Sequence, residues 1–262
     1  MKTIKIFQVD AFTSRLFGGN PAAVCILEQW LDDSLMQSIA AENNLAETAF
    51  IVKTGEIFEI RWFTPTVEVD LCGHATLASG YVIFNHCGHP GNEISFRSLR
   101  SGELKVKKAE NKLFLDFPAD EFRPCDILPG IRQCIGKEPL EVYLGKTDYM
   151  AVFGSEEDVR DARPDFEAVS KLDARGLIIT APGNSVDFVS RFFGPQSGID
   201  EDPVTGSAHT TLIPYWSAKL GKDKLNAMQI SARGGSLECQ NLPPRVIIGG
   251  EAQLYLTGEI FI

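Results

Sequence analysis

The sequence predicts an α+β fold of two pseudo-symmetric halves, and three observations carry that expectation. First, residues 61–65 read Arg-Trp-Phe-Thr-Pro and residues 191–195 read Arg-Phe-Phe-Gly-Pro, an offset of 130 in a chain of 262. Second, each block leads into an acid-containing loop with a glycine, and each loop into a long apolar stretch. Glu68 to Ala75 runs into ATLASGYVIF; Asp200 to Ala208, about three residues longer, runs into AHTTLIPYWSAKL. Third, short segments rich in β-branched and aromatic residues fill most of the remainder, as strands do. A single repeated block is weak evidence of duplication, but matching order, spacing and element type argue for it.

The elements follow in order. Ile4 and Ile6 alternate with polar neighbours, as in a first strand. Asp32 or Asp33 caps a helix near 32–43 with Leu35, Met36, Ile39 and Ala40 on its apolar side, and a strand follows over 48–53. IFEIRWF is the next strand. The first loop then opens a helix that is apolar on most sides, which places it inside. ELKVKKAENKLFLDF reads as strand. EFRPCDILPG, near 121–130, has the turn residues of a linker, so the halves are set at 1–120 and 121–262. In the second half Pro164-Asp165 begins a helix through Leu172. GLIITA and FVSRFF are strands, the second loop opens the second buried helix, and RVIIGG and AQLYLTGEIFI close the chain as strands.

Composition narrows the partners. Apolar residues make up 44% and charged residues 23%, ordinary globular values, and the net charge is −10. An acidic chain with no Lys/Arg run repels phosphate backbones, so no nucleic-acid partner is expected. The opening MKTIKIFQVDAF has no apolar core of a signal peptide, and no apolar stretch approaches the ~18 residues that span a bilayer. A cytoplasmic protein without membrane contact is expected. The six cysteines form no metal-finger spacing. His86-Cys87-Gly88-His89 lies beside Pro90 just past the apolar helix and reads as a turn, so no metal is expected.

Gly73-His74 and Gly206-Ser207 each sit where a loop becomes a helix. The first amides there lack intrahelical acceptors and carry the positive end of the helix dipole, which suits a carboxylate. Simple capping, with Ser207 as the cap, is the alternative for either loop alone; the symmetric pair favours binding. Glu47 lies between a helix and a strand. Enclosed, its carboxylate suits general acid/base work; a solvated turn glutamate is the other reading. The corresponding stretch of the second half, Asp173 to Leu177, has Arg or Gly near that place, so one half is read as supplying the proton carrier and the other mainly binding. His74 and Asp202 are further titratable candidates, while Glu201 reads as solvated. Cys72 precedes a helix, where a thiol can be activated, yet Thr205 stands in the matching position, which argues against a pair of thiol bases. There is no GxGxxG, Walker or GxSxG motif, and no cofactor is expected.

Several of these segments together resemble the PhzF-like family of phenazine biosynthesis, within the diaminopimelate-epimerase-like superfamily. They are Val9 to Thr13, Phe17 to Val24, Asn44 to Phe50, Arg61 to Pro65, Asp70 to Thr76 and Glu201 to Ala208. The resemblance implies halves that are each a β-barrel-like sheet around a central helix, a cleft between them as active site, a homodimer and no cofactor. Phenazine enzymes of this family isomerise trans-2,3-dihydro-3-hydroxyanthranilate by an allylic proton shift. Carried over by motif, Glu47 shuttles the proton, His74, Asp202 and Ser207 bind substrate or assist, and the amides of Gly73 and Gly206 hold a carboxylate or oxyanion. The expected activity is therefore cofactor-independent isomerisation of a small carboxylate-bearing metabolite. An epimerase or dehydratase using Cys72, or a non-catalytic protein of the same fold, are the alternatives.

Overall fold

The computed structural model describes residues 3–126 and 129–262. The chain divides into two compact units, Met1–Asp116 with Gly249–Ile262, and Phe117–Ile248. The expected linker at 121–130 falls partly on residues 127–128, outside the described residues.

In the first unit, β1 (Thr3–Ala11) pairs antiparallel with β2 (Asn20–Leu27). After α1 (Asp33–Asn43), Asn44 takes a left-handed conformation, φ 48°, and turns the chain into β3 (Glu47–Thr54). β3 runs parallel to β2, with Ala22 opposite Glu47, and antiparallel to β4 (Ile57–Phe63). The short β5 (Glu68–Val69) precedes α2 (Gly73–His86), and β6 (Glu93–Ser98), β7 (Gly102–Ala109) and β8 (Lys112–Pro118) follow as antiparallel neighbours. α2 is buried nearly all round, as its composition predicts, and packs against β1, β2, β3 and β7. Gly80 lets it approach closely: a Cβ there would stand 2.8 Å from a Val106 methyl.

The second unit holds β9 (Arg123–Pro124), α3 (Pro129–Ile135), β10 (Glu141–Leu144), β11 (Asp148–Val152), α4 (Glu156–Arg160), α5 (Phe166–Ser170), β12 (Gly176–Pro182), β13 (Phe188–Gly194), β14 (Ile199–Asp202), α6 (Gly206–Leu220), β15 (Lys224–Gln229), β16 (Gly235–Leu242) and β17 (Arg245–Gly250). α6 packs on β15 and β16, and its Trp216 stacks on Phe188 at 5.7 Å while donating to Thr180 Oγ1 at 2.9 Å. Pro214 sits inside this helix. It has no N–H for the Thr210 carbonyl four residues back, and that carbonyl accepts from the Asp120 amide at 3.1 Å instead. The expected helix to Leu172 is the shorter α5, capped by Asp165, which accepts from Ala168 N.

One boundary differs from the expected halves. The final strand, β18 (Ala252–Phe261), belongs to the first unit, because it pairs with β1 along its whole length from Thr3↔Phe261 to Ala11↔Ala252. The first unit is therefore closed by the last residues of the chain rather than ending at 120. The reason is β1 itself, which has a second edge left over after pairing with β2.

The duplication is visible in the pairings within each unit. β1–β2, β2–β3, β3–β4, β4–β5, β4–β6 and β6–β7 run antiparallel, parallel, antiparallel, antiparallel, parallel and antiparallel. β10–β11, β11–β12, β12–β13, β13–β14, β13–β15 and β15–β16 repeat that series. The arginines of the repeated block do the same work in both. Arg61 forks onto Glu68 at 2.7 and 2.8 Å over the Phe63 ring; Arg191 forks onto Glu201 at 2.7 and 2.9 Å over the Phe193 ring. Glu201 is thus an ion-pair partner and not a solvated side chain. The buried Arg191 needs it, and also donates to the carbonyls of Val159 and Ala162 at 3.1 and 3.0 Å. The longer second loop forms the single helical turn Pro195–Ser197, closed by Gly198 at φ 82°.

Candidate active site

In the first unit, the starts of β2, β3 and α2 bring Asn20, Glu47, Cys72 and His74 together. Asn20 and Glu47 begin neighbouring parallel strands, and Cys72 and His74 flank the first residue of α2. His74 is 3% exposed, with Nε2 3.2 Å from Glu47 Oε2 and Nδ1 3.1 Å from Asn20 Nδ2. Cys72 Sγ lies 3.5 Å from the same Nδ1. Burial, helped by the Glu47 charge, pushes the Cys72 thiol up to about 11, so it is a thiol and not a thiolate at neutral pH. Burial works against a charged His74, but the charge and hydrogen bond of Glu47 beside it favour that form and raise the imidazole above its ordinary value. The result is a carboxyl group 3.2 Å from an imidazole, a pair between which a proton can be held or passed. Glu47, Cys72 and His74 also offer three ligand atoms within 4.8 Å of one another, which a metal ion could use.

Neither buried helix is capped in the ordinary way. The residues at the N-cap positions are Cys72 and Thr205, and neither side chain caps its helix. Cys72 turns to His74. Thr205 donates its hydroxyl to Asp202 Oδ2 at 2.5 Å. Ser207, considered above as a cap, lies inside the helix, where its Oγ accepts from Arg175 Nη2 at 2.9 Å. A guanidinium only donates, so the Ser207 hydroxyl keeps its own proton to give elsewhere. Arg175 is itself forked onto Asp148 and lies over the Phe192 ring at 5.3 Å.

Position 176 explains why the second unit has no counterpart of Glu47. Gly176 opens β12 opposite Asp148 as Glu47 opens β3 opposite Ala22. A Cβ on Gly176 would collide with the Phe192 ring and stand 2.8 Å from the Phe193 carbonyl. A glutamate does not fit there. Asp202 ends β14 and is 8% exposed, and Gly206 is the buried first residue of α6.

Two positioning residues escaped the sequence reading. Asn20 carries a signal in the Gly-Gly-Asn-Pro segment, but nothing in that segment says what it touches. Gln229, fully buried at the end of β15, accepts from Thr205 N at 2.8 Å and donates to the Asp202 carbonyl at 2.7 Å and to Thr205 Oγ1 at 3.1 Å. It clamps the loop that carries Asp202. Gln229→Leu strands a buried amide and a buried carbonyl, so urea unfolding is expected to show a loss of about 2 kcal/mol. An unchanged midpoint would mean that the clamp is dispensable.

The family model for phenazine biosynthesis-like proteins, PhzC-PhzF, matches residues 9–258. The chain belongs to that family. Every candidate residue, Glu47, Gly73, His74, Asp202, Gly206 and Ser207, falls within the match. Among PhzC-PhzF relatives, an uncharacterised isomerase of Pseudomonas aeruginosa is 53% identical over 98% of this chain and 98% of its own. The crystal structure of a PhzF-family phenazine biosynthesis protein from Enterococcus faecalis superposes with TM-score 0.96 at 48% identity, covering 100% of both chains. The crystal structure of a probable proline racemase from Agrobacterium radiobacter covers 99% of this chain and 93% of its own with TM-score 0.67 at 9% identity, a likeness of fold alone. The family thus has the expected α+β, diaminopimelate-epimerase-like fold. Among the described residues no helix is long and apolar enough to cross a membrane.

Proposed function

We propose that this protein is an isomerase that moves a proton between carbons of a small carboxylate-bearing metabolite, with Glu47 as the acid/base. The observation that carries the reading is the enclosed Glu47–His74 pair, 3.2 Å apart at the mouth of a buried helix. A carboxylate so placed can take a proton from one carbon and return it to a nearby one, and the His74 imidazole beside it is placed to donate to the charge that builds up between the two steps. No cofactor is required by this sequence of events. Gly73 and His74 in the first unit, and Asp202, Gly206 and Ser207 in the second, are proposed to contact substrate. The Arg175 bond leaves the Ser207 hydroxyl as a donor suited to an anionic oxygen. The relative from Pseudomonas aeruginosa named as an isomerase supports the reaction class. A thiol mechanism is disfavoured by the pKa of Cys72, about 11, and by Thr205 in the matching place. A homodimer, expected from the family, is part of the proposal.

The test is proton exchange. Unsaturated and amino-substituted carboxylates are incubated with the protein in deuterated water and followed by proton NMR. Deuterium incorporation or double-bond migration in at least one of them is expected. Failure of every compound, together with no effect on the binding of any of them when Glu47, His74 and Asp202 are replaced, would favour a non-catalytic protein of this fold.

A further inference from the structure

We propose that Glu47, Cys72 and His74 form a reversible inhibitory site for a thiophilic divalent cation of the zinc class. They supply a carboxylate, a thiol and an imidazole, the three donor types zinc takes, leaving a fourth position for water. The imidazole Nε2 lies 3.2 Å from Glu47 Oε2 and 4.0 Å from Cys72 Sγ. Zinc bonds of about 2.0–2.3 Å in a tetrahedron set ligand separations of roughly 3.3–3.7 Å, so the thiol, now 3.5 Å from Nδ1, has to shift toward Nε2 to close a set whose donor atoms already lie within 4.8 Å of one another. Asn20 completes it. A metal-bound histidine needs its other ring nitrogen held by an outer partner, and the Asn20 carboxamide is 3.1 Å from Nδ1, able to turn its oxygen toward an N–H there.

The other His/Cys group contrasts with this one. His89 commits Nε2 to the Glu93 carbonyl at 2.9 Å, and Cys87 is exposed. The segment from His86 to His89 reads in the sequence as a turn with no metal expected, whereas the fold assembles donors from residues 47, 72 and 74. A cation bound there occupies the Glu47 carboxylate and stops proton transfer. That inhibition rests on the reading of Glu47 as acid/base, while the binding does not. Zinc must displace protons from the thiol and the imidazole, so affinity rises with pH.

The test is titration of the full chain with Zn²⁺ at pH 8 by calorimetry, and with Co²⁺ by absorbance. One equivalent of zinc is expected to bind with Kd about 1 μM or tighter, and cobalt to give a thiolate charge-transfer band. Cys72→Ser removes the band. Cys72→Ser and Glu47→Gln each weaken zinc at least about tenfold, and Asn20→Ala weakens it about tenfold. Should Cys72→Ser fold poorly, Glu47→Gln, which keeps the band and loses affinity, decides the matter. Zinc binding that is equal in wild type and Glu47→Gln, a band that survives Cys72→Ser, or no binding tighter than about 1 mM overturns the proposal. Because the titration reads binding without turnover, a fully active Glu47→Gln that no longer binds zinc would sink the catalytic reading and leave the metal site standing.

Discussion

Glu47→Gln is expected to lower kcat by about 10²–10⁴-fold, the usual worth of a positioned acid/base, with little change in KM. Glutamine matches glutamate in shape and can still meet His74, but it cannot carry a proton at neutral pH. Little else should move. Glu47 opens β3 through backbone pairing opposite Ala22, and its side chain is 13% exposed. Circular dichroism of the variant should therefore match wild type. Glu47→Asp keeps the chemistry but withdraws the carboxylate by one methylene, so intermediate activity is expected. Steady-state kinetics and deuterium exchange on the same substrate check both variants. Turnover of Glu47→Gln at the wild-type rate would remove Glu47 from the mechanism and return attention to Cys72.

The second large effect is on stability. His209 lies in α6, fully buried, against the Phe188 ring at 5.9 Å. Its Nδ1 donates to the Thr205 carbonyl at 2.8 Å, while Nε2 has no partner. Burial lowers its pKa from 6.5 to about 4, so the native ring stays neutral where an unfolded one takes up a proton. The sign follows from linkage. Above pH 6.5 neither state is charged at this position, and the full stability is present. As pH falls from 6.5 to 4 the unfolded state gains a proton that the native state refuses, and stability is lost. The total loss is about 3 kcal/mol. Denaturant unfolding at stepped pH should show this slope in wild type. His209→Gln, which can still donate to Thr205, should lose it relative to wild type. Parallel pH profiles for the two would mean that His209 titrates normally.

The Thr205 carbonyl that His209 serves has a counterpart in the first unit. Thr76 donates to the Cys72 carbonyl at 2.6 Å, four residues back, as His209 does to Thr205. The duplicated framework thus keeps a role while changing the residue that performs it. Corresponding positions differ in chemistry in the same way: Glu47 and Gly176 open equivalent strands, and Cys72 and Thr205 precede equivalent helices.

The sequence by itself determined the fold class, the duplication and the main candidate residues. Those signals are local: a repeated Arg-aromatic-Phe block, two glycine loops each running into an apolar helix, and an acid placed between a helix and a strand. Local pattern also predicted that α2 and α6 are buried, because a helix apolar on most sides has nowhere else to go. Where partners lie far apart in the chain, only tertiary structure decided. Gln229 reaches Asp202 and Thr205 across more than twenty residues, and Asn20 reaches His74 across 54. β18 returns to β1 because one strand edge was left unpaired, which no window of sequence displays. Glu201, read as solvated beside Asp202, is drawn in by the buried charge of Arg191. The metal-competent trio is the clearest case. Its spacing of 47, 72 and 74 matches no ligand motif, and it exists because a parallel strand pair and a helix start meet at one point.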